Sequence, residues 1–355
     1  MITLAQIGCG YWGPNLLRNF SAMPGAQVKY VVEAGEERRR YVRENYPATK
    51  AVPAIETALS DPAVQALVIA TPARTHFDLA LRGLQGGRHV FVEKPLAMSV
   101  AEVDRLAAVA ADRRLTLMVG HTFLYNPAVL FLKQLIDAGE LGRIYYLYAQ
   151  RLNLGVVRTD VNALWNLAPH DVSIFNFLLG SPPTAVVAHG TDYLHQGIED
   201  VVFAHLEYAG QVRASLHVSW LDPNRVRKVT LVGSRKMVVY DDVAADKLVI
   251  YDKGIDSPVP PGADLPFDRS AAGVKLVYRS GDSHVPKLPT VEPLREEAQD
   301  FLGAIVTGRP PRSDARSGRN VVAALQAASL SLEGNSRRVR LDEILSAPAG
   351  AGRSG

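Results

Sequence analysis

The sequence predicts an α/β domain with a doubly wound parallel sheet, followed by an α+β domain with a large, mostly antiparallel, open-faced sheet. Short apolar runs alternate with helical patterns up to about residue 120, which is typical of the first architecture. Many β-rich segments joined by short turns follow from residue 144, which is typical of the second. Because 355 residues is long for one domain, we predict two, over 1–122 and 123–345, and a flexible tail over 346–355.

The first predicted strand runs over Ile2–Ile7 and ends in a glycine-rich turn that leads into a helix. Gly8, Gly10 and Gly13 have the spacing G-x-G-x-x-G in this strand–turn–helix context, which predicts a dinucleotide site. Gly8 allows the tight turn, Gly10 the close approach of a pyrophosphate, and Gly13 the packing of helix on strand. The N–H groups at the start of the helix bind the phosphates. Two further residues of this loop are predicted cofactor ligands, Tyr11 and Trp12.

The second predicted strand, over residues 28–32, ends at Glu33, twenty residues after Gly13. A carboxylate at this position accepts hydrogen bonds from the ribose hydroxyls of adenosine and repels a 2′-phosphate, so it favours NAD over NADP. Arg38 leaves NADP open, since its side chain can either bind a 2′-phosphate or stack on adenine. Cys9 lies in the loop without a basic partner, so we expect it to be a small packing residue.

Three further apolar runs complete the predicted parallel sheet, over residues 66–70, 89–92 and 116–119. Helical patterns separate them, over residues 76–84 and about 100–113. The carboxyl ends of parallel strands meet at one edge of a sheet, and ligands bind beyond that edge. Candidate ligands of the cofactor therefore follow these strands, namely Thr71, Lys94 and His121.

The second domain is predicted from its β-rich segments and one long helix over residues 166–179. The predicted strands cover residues 144–153, 185–190, 201–208, 211–220, 227–232, 237–240 and 247–251. Residues 252–289 are rich in Pro, Gly and Asp and have no clear periodicity, so they are predicted to be an irregular excursion.

Composition restricts the class of protein. Hydrophobic residues make up 47% and charged residues 21%, an ordinary globular mixture. Lys and Arg exceed Asp and Glu by only 39 to 36, which does not favour a nucleic-acid partner. A single cysteine excludes a disulfide framework and a Cys-based zinc site, and no metal is expected. Without a membrane-length apolar run or a signal-peptide pattern, we expect a soluble, cytoplasmic protein that does not bind membranes.

Three segments together resemble the Gfo/Idh/MocA (glucose–fructose oxidoreductase/inositol dehydrogenase) family. They are Glu93-Lys94-Pro95 after a strand, Thr71-Pro72 followed by His76, and Glu292–Glu297 leading into a helix over residues 301–308. The resemblance extends to about residue 342 and implies an NAD(P)-dependent dehydrogenase with a Rossmann domain. It adds Pro72, His76 and Glu93 to the cofactor-binding residues, and it implies a homodimer or homotetramer formed through the outer face of the second sheet.

In this family the lysine of Glu-Lys-Pro reaches the substrate hydroxyl beside the nicotinamide, so the resemblance assigns Lys94 to catalysis. A partly desolvated lysine near a cationic ring has a lowered pKa and is suited to proton transfer. The second family motif, D-x-x-x-H on a helix, matches Asn166 and His170, which lie one turn apart on one face. His170 is the predicted acid/base, with an ordinary pKa near 6.5. Asn166 orients the hydroxyl but cannot take its proton.

Substrate ligands are predicted in the polar segment ahead of the catalytic helix. Arg151, Asn153 and Arg158 suit a hydroxyl-rich or phosphate-bearing ligand, although the arginines can equally form loop salt bridges. Tyr125, at the crossover between the domains, joins Lys94, Asn166 and His170 in this set. The crossover around Tyr125, the segment that begins at Arg151 and the segment around Asn166 and His170 together resemble family members that act on nucleotide sugars, often at C3 of a pyranose. The alternatives are an inositol or free-glycoside dehydrogenase, and a dinucleotide-binding regulator without turnover, which the Asn166 departure keeps open.

Overall fold

The computed structural model describes residues 1–256 and 277–346 of the chain. Within these residues the strands form two separate sheets, one built before residue 121 and one after residue 143. The predicted combination of a parallel α/β sheet with a larger, mostly antiparallel sheet is confirmed. The predicted tail lies outside the described residues from position 347 onward.

The first sheet has, within the described residues, six parallel strands in the order β3-β2-β1-β4-β5-β6. They are β1 Ile2–Ile7, β2 Ala26–Val32, β3 Lys50–Val52, β4 Ala66–Ile69, β5 His89–Glu93 and β6 Leu117–Gly120. The strand order reverses between β1 and β4, and ligands bind at such a switch point in doubly wound sheets. Only β3, a three-residue edge strand, was not predicted.

Helices cover both faces of this sheet, namely α1 Gly13–Ser21, α2 Glu36–Asn45, α3 Ile55–Leu59, α4 His76–Gln85 and α5 Val100–Asp112. Successive residues of a strand therefore enter different cores. In β4, Leu67 and Ile69 belong to one apolar cluster, whereas Ala66 and Val68 belong to the other. Burial on both faces is the reason that the strands are continuous apolar runs in the sequence.

The second sheet has the order β14-β13-β12-β11-β7-β10-β9-β8-β15 among the described residues. Its strands are β7 Ile144–Leu152, β8 Ala185–Thr191, β9 Val201–Glu207, β10 Arg213–Ser219, β11 Val226–Gly233, β12 Met237–Asp241, β13 Leu248–Asp256, β14 Val277–His284 and β15 Val339–Arg340. Neighbouring strands are antiparallel except β7 and β10, which are parallel.

The described part of the predicted excursion over 252–289 contains regular structure, which corrects that prediction. β13 continues to Asp256, and β14 pairs with it as an antiparallel neighbour. No residue of β14 is buried, so this edge strand has no buried face. Without a buried face a strand shows no alternation of apolar and polar residues, and the sequence pattern is lost.

The remaining helices are α6 Pro127–Asp137, α7 Ala163–Leu179, α8 Pro293–Thr307, α9 Ala315–Glu333 and α10 Leu341–Leu345. α7 and α9 pack on the inner face of the second sheet, whereas α8 returns to the first sheet. There Phe301 packs edge-to-face on Phe20 and Phe91, with ring centroids 6.3 and 5.7 Å apart. Of the helices in the described part of the chain, none is long and apolar enough to cross a membrane.

Candidate active site

The glycine-rich turn between β1 and α1 is closely packed at two of its glycines. Gly8 has φ +92°, and a Cβ atom there would lie 2.6 Å from the carbonyl oxygen of Ala70. A Cβ on Gly13 would lie 2.7 Å from the carbonyl oxygen of Gly8. The Gln6 amide donates hydrogen bonds to the carbonyls of both glycines, each at 2.9 Å. These contacts leave no room for side chains at Gly8 and Gly13.

The outer part of the same turn is open and fits a dinucleotide pyrophosphate. A Cβ on Gly10 would meet no atom within 4 Å. α1 begins at Gly13 after Trp12, whose side chain does not cap the helix, so no N-cap side chain occupies its first N–H groups. Space beside a helix N-terminus with free donors is the arrangement that binds phosphates. Tyr11 and Trp12, which are 87% and 40% exposed, border this space.

Glu33, directly after β2, is held against the glycine-rich turn. Its carboxylate accepts hydrogen bonds from the backbone N–H groups of Cys9 at 2.7 Å and Gly35 at 2.9 Å. Arg38 lies on α2, and its charge reaches the thiol of Cys9. Burial and then the Glu33 charge raise the pKa of Cys9 to about 11, so the thiol stays protonated and acts as a packing group.

Lys94 follows β5 and reaches the second half of the molecule. Its Nζ donates a hydrogen bond to the backbone carbonyl of Asn166 on α7 at 2.8 Å, and its peptide bond to Pro95 is cis. Burial lowers the pKa of Lys94 to about 8, although the Glu93 carboxylate opposes this shift. Burial likewise raises the pKa of Glu93 to about 7, while Lys94 opposes that shift. Lys94 is therefore a proton donor or acceptor near neutral pH.

His170 lies on α7, one turn after Asn166, and its ring packs edge-to-face on Phe123 with centroids 5.0 Å apart. Its Nδ1 is buried and has no hydrogen-bond partner among the described residues. Burial, followed by the charges of Lys94 and Arg151, lowers the pKa of His170 well below its ordinary value. The expectation of an ordinary pKa was therefore wrong. The ring is neutral at pH 7 and can form hydrogen bonds, but the lowered pKa makes it a weaker base than an ordinary histidine.

Two further titratable groups, whose pKa values respond to Lys94 and Glu93, are buried. His121 follows β6, and neither of its ring nitrogens has a partner among the described residues. Burial and then the charge of Lys94 lower the pKa of His121 to about 3. Glu297 on α8 is fully buried, and its Oε2 accepts a hydrogen bond from the Thr122 hydroxyl at 2.7 Å. Burial and then the Glu93 charge raise the pKa of Glu297 well above its usual range, which favours the protonated form.

Sequence reasoning missed Glu297, although a signal for it was present. Leu294, Ala298 and Phe301 are buried on α8, and position 297 lies on the same face of the helix. A glutamate in an apolar stripe marks a buried carboxyl group, which makes it a candidate site residue.

Arg151 was predicted to bind substrate, and the structure corrects this prediction. Its Nε and Nη2 donate hydrogen bonds to the two carboxylate oxygens of Asp171, both at 2.9 Å. Its guanidinium group lies 4.5 Å from the ring centroid of Phe123, and the side chain is only 4% exposed. Arg151 is therefore an internal ion-pair residue that supports Phe123, which in turn contacts His170.

Tyr125 does not reach the cleft either. Its ring is buried, and its hydroxyl donates a hydrogen bond to the carboxylate of Asp300 at 2.7 Å and lies 3.2 Å from the Ser313 hydroxyl. Tyr125 was predicted from its place at the crossover between domains. The phenol instead ties that crossover to α8 and to the loop before α9, so the prediction of substrate binding was wrong.

His76 was predicted to contact the cofactor, but it is 1% exposed. Its Nδ1 lies 2.7 Å from the carbonyl oxygen of Pro95, and its Nε2 lies 2.9 Å from that of Thr71. These contacts connect the segments that follow β4 and β5. His76 is therefore a buried residue that connects the ends of β4 and β5. By contrast, Thr71 is partly exposed and Pro72 is exposed at the carboxyl edge of the sheet.

Asn153 and Arg158 lie in the loop between β7 and α7. Arg158 donates two hydrogen bonds to the Asp160 carboxylate, at 2.8 and 2.9 Å. In this structure it therefore forms a salt bridge within the loop, the alternative to substrate binding. Arg74, ahead of α4, donates to the carbonyl of Asp160 at 2.8 Å and ties this loop to the first half of the chain. The charge of Arg158 also contributes to lowering the pKa of Lys94.

A glycine-rich turn that fits a pyrophosphate, a carboxylate after β2, and a lysine in contact with the helix that carries a neutral histidine are typical of NAD(P)-dependent oxidoreductases. The family model for the oxidoreductase family with an NAD-binding Rossmann fold matches residues 2–121, and the GFO/IDH/MocA C-terminal domain model matches residues 129–239. The chain belongs to the GFO/IDH/MocA family, and it is an enzyme of the dehydrogenase type that acts on CH–OH groups.

Named relatives match most of the chain. A UDP-N-acetylglucosamine 3-dehydrogenase from Acidithiobacillus ferrooxidans is 28% identical over 338 residues, which are 92% of this chain and 96% of the relative. A solved structure of that dehydrogenase has a TM-score of 0.78 at 27% identity and covers 94% of this chain and 98% of its own. GenD2 from gentamicin A biosynthesis, solved in complex with NAD, has a TM-score of 0.79 at 25% identity, with 96% of each chain covered.

Proposed function

We propose that this enzyme transfers hydride between a nicotinamide dinucleotide and a secondary alcohol carbon of a nucleotide-linked pyranose, with C3 favoured. The observation that carries this proposal is the contact between Lys94, which follows a strand of the first sheet, and the helix of the second domain that carries His170. Lys94 donates to the carbonyl of Asn166, one turn before His170 on the same helix. The similarity to a UDP-N-acetylglucosamine 3-dehydrogenase supports the substrate class.

The bound dinucleotide supplies the hydride acceptor or donor. In the oxidative direction Lys94, as the free amine, accepts the proton of the reacting hydroxyl, since burial lowers its pKa to about 8 and its Nζ already lies beside the catalytic helix. His170 positions the same hydroxyl through a hydrogen bond to its ring, which burial keeps neutral. The side chain of Asn166 orients the same hydroxyl. A carboxylate at position 166 would raise the pKa of His170, whereas an amide leaves the effect of burial unopposed.

A substrate panel tests this proposal by the absorbance of the reduced nicotinamide. We expect turnover of UDP-N-acetylglucosamine, with a lower kcat/KM for free N-acetylglucosamine and for myo-inositol. Equal or better turnover of myo-inositol would favour the inositol dehydrogenase, a family activity also represented by a myo-inositol 2-dehydrogenase from Thermotoga maritima at 22% identity. Tight NADH binding without turnover of any alcohol would favour the non-catalytic regulator.

The same panel, run with NAD and with NADP, tests the cofactor preference that we propose for Glu33. We expect NAD to be preferred, because the carboxylate lies beside the phosphate turn and repels a 2′-phosphate. Glu33→Gln keeps the size of the side chain and removes its charge, so the preference should fall by about tenfold, as for loss of one charge-assisted contact. If the wild-type enzyme prefers NADP, Arg38→Ala should weaken NADP binding and leave NAD binding unchanged.

We propose that the enzyme is a homodimer or homotetramer that associates through the outer face of the second sheet. α7 and α9 cover the opposite face, and the outer face carries the stacked pairs Tyr146–Tyr148 and Phe203–His217. Phe203 is 48% exposed, which is unusual for a central strand of a sheet. Analytical ultracentrifugation should give a dimer or tetramer for the wild type and smaller species for Phe203→Glu. A wild-type monomer at micromolar concentration would contradict this proposal.

A further inference from the structure

Arg227 on β11 is a second arginine at the active-site cleft, and nothing in the function above uses it. It is paired directly opposite Arg151 of β7 in the antiparallel register, so the two side chains lie on the same face of the sheet. That face packs against α7, which carries His170. Arg151 in turn lies against Phe123, whose ring contacts His170, so Arg227 is one strand away from the residue that supports the catalytic helix. The charge of Arg227 also contributes to lowering the pKa of Lys94 and His170.

The two arginines differ in how their charges are satisfied. Asp171 accepts two hydrogen bonds from Arg151, whereas the carboxylate of Asp242 lies 3.5 Å from Arg227 Nη1, which is long for a hydrogen bond. Asp242 also accepts a hydrogen bond from the Tyr240 hydroxyl at 2.9 Å. The Nε of Arg227 is buried and has no partner among the described residues.

A guanidinium group with a buried, unpaired N–H is costly, and an anion that binds it removes that cost. The positive charges of Arg151 and Arg158 are already balanced by Asp171 and Asp160. Arg227 also forms an ion pair with Asp242, but that contact is made by Nη1 at 3.5 Å and leaves the buried Nε available to a ligand. A planar guanidinium binds phosphate and carboxylate groups through paired hydrogen bonds, which suits it to select a charged ligand.

We propose that Arg227 binds a negatively charged substituent of the substrate, a phosphate or a carboxylate, and thereby selects charged sugars over neutral ones. The inference rests on the proposed function, since it assigns a ligand group to the substrate of the same cleft. It also reassigns the role predicted for Arg151 to the arginine directly opposite it. Arg227 was missed in the sequence because it lies in a β-rich segment next to other basic residues.

The test compares Arg227→Gln with Lys228→Gln. Lys228→Gln removes the same charge one residue away. The Lys228 side chain lies on the opposite face of the sheet, where it pairs with Asp241 at 3.3 Å. Binding to the NADH-loaded enzyme is measured by calorimetry for UDP-N-acetylglucosamine, its UDP-linked uronate, N-acetylglucosamine 1-phosphate and N-acetylglucosamine. We expect Arg227→Gln to weaken binding of charged ligands by about ten- to hundredfold, the ratio that a charge-assisted hydrogen bond gives. Lys228→Gln should stay within about twofold of wild type, and Arg227→Lys should restore part of the loss.

The three charged ligands distinguish whether Arg227 binds a phosphate or a carboxylate. Equal losses for all three charged ligands identify a phosphate as the group bound, whereas a loss confined to the uronate identifies a carboxylate. The inference is overturned if Arg227→Gln binds the charged ligands as well as wild type does, or if it weakens neutral N-acetylglucosamine equally. Because binding is measured without turnover, a wild type that binds these ligands but oxidises none contradicts the proposed function alone.

Discussion

Replacing Lys94 with methionine is expected to lower kcat/KM for alcohol oxidation by a factor between about 10² and 10⁴, the range of one proton-transfer group. Methionine keeps most of the length of the side chain and removes the amine that lies 2.8 Å from the carbonyl of Asn166. NADH binding should be affected much less than turnover, because the phosphate turn and Glu33 lie on other strands of the sheet. Steady-state kinetics with a fluorescence titration of NADH separates the two effects.

The pH dependence of the wild type provides the second readout for Lys94. If the free amine is the form that serves oxidation, kcat/KM rises with pH and levels off above about pH 8, the pKa to which burial lowers Lys94. In Lys94→Met this rise should disappear. A variant that retains wild-type activity and the same pH profile would contradict the assignment of Lys94 to the reacting hydroxyl. Lys133→Met serves as the control, since that lysine pairs with Asp137 on the outside of α6.

The parts of the fold that were predicted from sequence have patterns within a few consecutive residues. β1, the glycine turn and α1 form one local signal, because burial on both faces makes the strand apolar and the turn requires glycine at position 8. β14 gave no such signal, since none of its residues is buried. β3 is three residues long, too short for either periodicity to appear.

The site was predicted less completely, because the partner of a polar side chain depends on contacts distant in sequence. Tyr125 binds Asp300, 175 residues later, and no local pattern indicates that pairing. Arg151 and Arg227 are directly opposite each other on adjacent strands, yet only the structure shows that Asp171 satisfies the first. The assignment of Lys94 and His170 to one site rests on short motifs on regular elements, and the structure brings Lys94 against the helix that carries His170.

Replacing Asp171 with alanine is expected to destabilise the protein by about 3–5 kcal/mol, because it leaves the guanidinium of Arg151 buried without its partner. The two side chains are 4% and 1% exposed, so water cannot replace the lost carboxylate. Asp160→Ala is the matched control, since its partner Arg158 is 36% exposed, and the loss there should be below about 1 kcal/mol. Urea unfolding followed by far-UV circular dichroism measures both differences.

The double variant Arg151→Met with Asp171→Leu separates an internal role of Arg151 from substrate binding. Replacing a buried ion pair by apolar side chains of similar volume is often neutral, so stability should return to within about 1–2 kcal/mol of wild type. Methionine still packs on Phe123, which contacts His170 at a centroid distance of 5.0 Å, so the catalytic helix keeps its support. KM for the sugar should then be close to the wild-type value. A stable double variant with a KM raised more than about tenfold would restore Arg151 as a substrate ligand, since that is the effect of losing one charge-assisted hydrogen bond.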